Sequence, residues 1–194
     1  MNMQVGVLAL QGAFAAHSDC LTSIGVQSIE VRTPEQLSSV DALLMPGGES
    51  STMSQLLESS GLFDPIAQRI ADGMPVFGTC AGMILLASEI LDGRIDQRSF
   101  SAIDISVRRN AFGRQVDSFE ATINSSVGEF HGVFIRAPRI ERVGDQVEVL
   151  GSINDEPVLV RQGNVLAASF HPELSNDARL HEYFVSITAN KKKV

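Results

Sequence analysis

Two cysteines in 194 residues, Cys20 and Cys80, are too few for a disulfide framework, and neither has a second cysteine at the CxxC spacing of a zinc site. Each thiol must be judged by its own surroundings. Basic residues are scarce as well, with 15 Lys and Arg against 23 Asp and Glu and a net charge of −8. That deficit argues against a nucleic-acid or anionic-membrane surface, because both need clustered positive charge. The one basic run, Lys191 to Lys193, reads as a solvated end that complements the negative pole of a last helix. No apolar run approaches the roughly 18 residues of a membrane span, and no charged-then-apolar leader opens the chain. The expectation is a cytoplasmic protein. Repeats, low-complexity segments and long linkers are also missing, so residues 1–194 are expected to form a single domain, with 44% hydrophobic content to fill one core.

What is present alternates. Apolar runs at 4–10, 26–31, 41–48 and 74–79 read as strands, and helical spacing follows at 13–24, 50–57, 63–71 and 81–91. Serines and a threonine stand ready to cap the helix at Ser50. Beyond about residue 100 the pattern changes to strands without helices, at 101–107, 116–123, 129–135, 146–153 and 157–170, the last carrying a Gln-Gly-Asn hairpin signal. A final helix spans 177–189. Together these predict an α/β fold of three layers: a doubly wound, mostly parallel sheet with helices on both faces and an antiparallel extension.

Three motifs stand at predicted strand ends, where such sheets gather functional groups. In "VFGTCAGMILL" (76–86) Cys80 sits between two glycines in a G-x-nucleophile-x-G pattern, the sharp strand-to-helix turn that exposes a reactive side chain. The backbone N–H of Ala81 would then face an oxyanion. A buried packing thiol has the same local look, so the motif needs a base elsewhere. "FHPE" supplies one after another strand: His171 and Glu173 can point the same way, the carboxylate orienting the ring and the ring facing the thiol. A histidine in a loop cap is the competing reading of that motif alone. "MPGGESST" (45–52) places a glycine pair before a helix, which lets backbone amides approach a ligand or merely makes a turn.

Taken together, these motifs resemble the class I, triad-type glutamine amidotransferases. More narrowly, "GVLALQGAFAAH", "LLMPGGESSTM", "FGTCAGMILLA", "RRNAFGRQVDSFEA", "GVFIRAP" and "ASFHPEL" are similar to the glutaminase subunits of ribose 5-phosphate-dependent pyridoxal 5′-phosphate synthases. The resemblance implies hydrolysis of L-glutamine and delivery of ammonia to a separate synthase subunit, with no metal and no cofactor on this chain. It assigns Cys80 as nucleophile, His171 as base and acid, and Glu173 as its orienting partner. Gly48, Glu49, Ser50, Arg109, Ile135 and Arg136 would bind the glutamine. An amino acid carries a carboxylate and an ammonium, so arginines beside acidic and backbone groups are the expected clamps. For Arg109 and Arg136, a surface or inter-strand ion pair is the competing reading. Gln11 and Gly12 are expected near the same sheet edge, at the oxyanion region or the contact with the synthase. Cys20 is expected as a core thiol, and His17, His131 and His181 as structural. No role is carried over for 92–101. The competing functions are an amidotransferase subunit for another acceptor, which the "RNAFGRQVDSFE" block argues against, and a non-catalytic regulatory subunit, which the intact Cys80, His171 and Glu173 argue against.

Overall fold

The structure is a computed structural model and describes residues 3–109, 118–175 and 177–191. The chain-order elements of its first half are β1 (Gln4–Leu8), α1 (Phe14–Ser23), β2 (Gln27–Val31), α2 (Pro34–Ser38), β3 (Ala42–Met45), α3 (Ser50–Ser59), α4 (Phe63–Ala71), β4 (Val76–Thr79) and α5 (Ala81–Leu86). The second half adds β5 (Ala87–Ile90), β6 (Ile103–Arg108), β7 (Phe119–Ser125), β8 (Gly128–Phe134), β9 (Arg139–Val143), β10 (Glu148–Ile153), β11 (Glu156–Gln162), β12 (Val165–Ala168) and α6 (Arg179–Lys191).

Nine strands form one sheet in the order β2-β1-β3-β4-β12-β11-β10-β7-β8. The first five are parallel neighbours, and from β12 onward every pairing is antiparallel. The predicted parallel core with its antiparallel extension is therefore what the chain builds. Alternation along the buried strands divides the core into two layers. Leu43, Met45, Val165 and Ala167 face a cluster with Met53, Leu57, Phe63, Ile66 and Leu85 from α3, α4 and α5. Ala42, Leu44, Leu166 and Ala168 face the opposite cluster with Leu21 of α1 and Leu180 and Phe184 of α6.

The structure departs from the sequence expectations in places. The helix expected over 81–91 ends at Leu86, where Ala87 turns extended (φ −60, ψ 149), and the remainder is β5. Its good helix formers are overridden by pairing: β5 lies parallel to β6, and Oγ of Ser88 donates to the carbonyl of Ile105 at 3.0 Å. With β9 these strands make a separate three-stranded sheet. Neither β9 nor α2 is anticipated, although Thr33 and Gln36 form a reciprocal capping box on α2. The run 157–170 is a hairpin, with Gly163 at φ 57 in the turn. Most of "RNAFGRQVDSFE", the start of the strand expected at 116–123, and Lys192 and Lys193 of the basic run lie outside the described residues. Among the described residues no helix is long and apolar enough to cross a membrane.

Candidate active site

Four adjacent parallel strands, β1, β3, β4 and β12, deliver their carboxyl ends to one place. β4 runs into α5 through Cys80, whose backbone has φ 49 and ψ −105 and whose N–H donates to the carbonyl of Ala168 at 2.8 Å. A non-glycine residue in this region stores on the order of 1–3 kcal/mol of strain, which surrounding structure must hold. The flanking glycines are what permits it, though by close approach rather than by turning freely. A Cβ on Gly82 would stand 2.2 Å from the carbonyl oxygen of Met45, and one on Gly78 would stand 2.6 Å from the Gly82 backbone. The positive φ falls on the cysteine itself.

β12 continues through Ser169 and Phe170 to His171, whose N–H donates to the carbonyl of Val133 at 2.8 Å. The 3-10 turn Pro172–Leu174 then folds Glu173 back, so that its Oε1 lies 2.8 Å from Nδ1 of His171. Burial works against a charged His171, but hydrogen bonds to Cys80 and Glu173 prevail and raise its pKa from 6.5 to about 10. Burial likewise opposes ionisation of Glu173, yet its hydrogen bond to His171 and the nearby His17 hold the carboxyl below its ordinary range. Gly47, after β3, forms the floor between the His171 ring and the Cys80 thiol: a Cβ there would meet Cε1 of His171 at 2.4 Å and Cβ of Cys80 at 3.3 Å.

Above these groups opens a cavity of about 330 Å³ whose wall includes Cys80, His171, Gly48, Glu49, Ser50, Arg109, Ile135 and Arg136. Every residue assigned by resemblance thus lines it except Glu173, which stands behind His171. The carbonyl oxygen of Ile135 lies 4.0 Å from Sγ of Cys80, and Arg136 holds φ 46. The cap on α3 is Glu49 rather than a serine or threonine: its carboxylate accepts from the backbone N–H of Ser51 and Thr52 and from the Thr52 hydroxyl. Burial pushes the Glu49 pKa up, but those donors outweigh it and leave it at about 2. Gln11 and Gly12 reach the site as expected of that sheet edge. Oε1 of Gln11 accepts from the N–H of Glu49 at 3.2 Å, and Gly12 lines the cavity.

The remaining expectations divide. His131 is exposed and pairs with Glu120 at 2.7 Å. Cys20 is half-buried rather than in the core. His17 and His181 are fully buried; Nε2 of His17 lies 3.3 Å from Oε2 of Glu173, and His181 stands behind His17 at 2.9 Å. Sequence reasoning also missed the loop 92–101, which supplies Gln97 and Asp92 to Arg109. Nη1 of Arg109 donates to Oε1 of Gln97 at 3.2 Å and to Ser51 at 2.6 Å, and the Arg109 N–H donates to Asp92 at 2.8 Å. No local pattern marks these residues, because their partners are distant in sequence. Among the described residues no cluster of His, Cys, Asp and Glu is arranged to hold a metal ion.

Comparison with known proteins bears on the same geometry. Residues 7–190 match the family model of the SNO glutamine amidotransferase family. A relative from Salinispora arenicola, named pyridoxal 5′-phosphate synthase subunit PdxT, is 56% identical over 191 residues, which cover 94% of this chain and 95% of that one. The protein of the same name from Mycobacteroides abscessus is 56% identical over 189 residues, covering 96% and 98%. A crystal structure described as a glutamine amidotransferase superposes with a TM-score of 0.91 at 50% identity, covering 95% of this chain and 98% of that one.

Proposed function

This chain belongs to the SNO glutamine amidotransferase family, and from that premise we propose that it is the glutaminase subunit of a pyridoxal 5′-phosphate synthase. It hydrolyses L-glutamine to L-glutamate and ammonia, and a separate synthase subunit combines the ammonia with ribose 5-phosphate and glyceraldehyde 3-phosphate to make the cofactor in vitamin B6 biosynthesis. The observation that carries the assignment of residues is Cys80, held at φ 49 across Gly47 from a buried His171–Glu173 pair.

His171, the stronger base for its partners, takes the Cys80 proton. The sulfur attacks the side-chain amide carbon of glutamine, and the C=O electron pair moves onto oxygen. Backbone N–H groups near Gly48 and Ala81 receive that oxyanion. The oxyanion collapses, the C–N bond breaks, and His171 returns its proton to the leaving ammonia. Water, deprotonated by His171, then attacks the thioester carbon, and glutamate leaves as the thiol is restored. Arg109 and Arg136 serve the substrate carboxylate, and Glu49 its ammonium. In support, both arginines line the cavity together with Glu49, and Arg109 stands 3.6 Å from that carboxylate.

Residues 1–194 work as one glutaminase domain, in the cytoplasm, where a reducing medium keeps the nucleophile as a thiol. Ammonia released into water equilibrates with unreactive ammonium, so docking on the acceptor subunit has a chemical reason, and it completes the oxyanion site. The test is to mix the purified chain with a pyridoxal 5′-phosphate synthase subunit and follow ammonia and cofactor formation from glutamine. Both are expected, with glutaminase activity rising strongly on mixing, and both are expected to vanish with Cys80→Ala while complex formation persists. Ammonia release by that variant would overturn the nucleophile assignment.

A further inference from the structure

Behind the His171–Glu173 pair lie titratable groups that the mechanism above does not use. Glu173 spends Oε1 on His171, while its Oε2 is buried without a hydrogen bond among the described residues. Nε2 of His17 lies 3.3 Å from that oxygen. The same nitrogen lies 3.2 Å from Oγ1 of Thr79, the residue before the nucleophile, and Nδ1 of His17 lies 2.9 Å from Nε2 of His181. His17 comes from α1, Thr79 from β4 and His181 from α6, and all three are fully buried.

The contacts select one proton arrangement. A carboxylate only accepts, so the nitrogen of His17 that faces Glu173 must carry the hydrogen. Nδ1 of His17 is then a lone pair and accepts from Nε2–H of His181. That leaves Nδ1 of His181 bare, and Nδ1 is the ring atom of His181 that has no partner among the described residues. The reverse arrangement would bury an unpaired N–H on His181 and press a lone pair of His17 against the carboxylate, at a cost of the order of 1–3 kcal/mol for the unsatisfied donor alone. Both rings are neutral: burial lowers His17 to about 3, against the pull of Glu173, and lowers His181 to about 4. A neutral donor can support Glu173 without cancelling the charge that His171 needs beside it.

We propose that His17 is a positioning residue for the triad, its Nε2–H shared between Thr79 and the free oxygen of Glu173 in a tautomer fixed by His181. The inference rests on Glu173 being the carboxylate that orients His171. It is tested on the complex with the synthase subunit, by kinetics and by nitrogen NMR of histidine-labelled protein. The unsubstituted protein should show both His17 and His181 neutral and protonated at Nε2. His17→Leu should lower kcat for ammonia release about tenfold or more with little change in KM, since a group that supports a catalytic side chain acts on the chemical step. His17→Gln, whose amide N–H₂ can reach the place of Nε2, should recover most of the loss. A His17 protonated at Nδ1, or equal kcat in the Leu and Gln variants, would overturn the proposal. The NMR measurement needs no variant, so it decides even where His17→Leu does not fold. Absence of ammonia release from the unsubstituted complex would overturn the functional reading instead and leave the tautomers to be judged separately.

Discussion

Cys80 and Gly47 show how little room the chemistry leaves for substitution. The thiol is presented by a backbone angle that L residues rarely adopt, and the His171 ring approaches it over a residue that has no side chain. A methyl group at position 47 would overlap His171 at 2.4 Å from Cε1, far inside van der Waals contact. Gly47→Ala is therefore expected to displace the imidazole and cut kcat about a hundredfold, because misplacement by about 1 Å costs that much. Steady-state ammonia release in the complex measures it, and an unchanged kcat would mean that the ring is not held where catalysis needs it. The raised pKa of His171 sets a second expectation. Its ordinary 6.5 is moved to about 10 in the fold, so the charged ring persists through neutral pH and is lost only as pH rises through about 10. The alkaline limb of kcat/KM should accordingly lie well above pH 7, and as a property of the Cys80–His171 pair. Glu173→Gln removes one of the supports for the charged ring and should move that limb down.

At the level of elements, α3 carries its own cap into the wall of the cavity. Glu49 accepts from the first free N–H groups of the helix and stands 3.6 Å from Arg109. Its pKa is about 2 in the folded chain against an ordinary 4.5, so its contribution to stability is complete above 4.5 and disappears as pH falls toward 2. The side chain is 48% exposed, so solvent screening limits the charge effect. Glu49→Gln should lower stability at about pH 7 by about 1 kcal/mol, a drop of about 2–4 °C in Tm, and the difference should narrow at about pH 3.5. Thermal unfolding at the two pH values reads both. The position of α3 was legible because a strand, a glycine pair and a helical run follow one another within a short window. Its cap was not, since glutamate is an uncommon N-cap beside the serines and threonine present. The helix expected over 81–91 failed for a different reason. Residues 87–90 have ordinary helix propensity, and only the presence of β6 makes them a strand. The His17–His181 contact joins residues 164 apart, which no local pattern can reveal.

In the whole molecule, the site belongs to the sheet rather than to any one loop. Gly12 follows β1, Gly47 follows β3, Cys80 follows β4 and His171 follows β12, four neighbours in the parallel half. The groups behind them come from α1 and α6, the two helices that cover one face. The antiparallel extension adds Val133 and Ile135, the first as acceptor for the His171 N–H and the second facing the thiol. Cys80 and His171 end the paired strands β4 and β12, and the neighbouring strands supply the rest of the cavity wall, so unfolding of the sheet takes the site with it. Activity and secondary structure should therefore disappear together in urea, with coincident midpoints for glutaminase activity and far-UV circular dichroism. The assay is glutamine hydrolysis in the complex after equilibration at each urea concentration, with subunit association monitored in parallel so that dissociation is not mistaken for loss of the site. An activity midpoint well below the spectroscopic one, in complexes still associated, would show that the cavity wall around Arg109 and the 92–101 loop opens independently of the sheet. Coincidence would tie the strained turn at Cys80 to the stability of the strands that hold it.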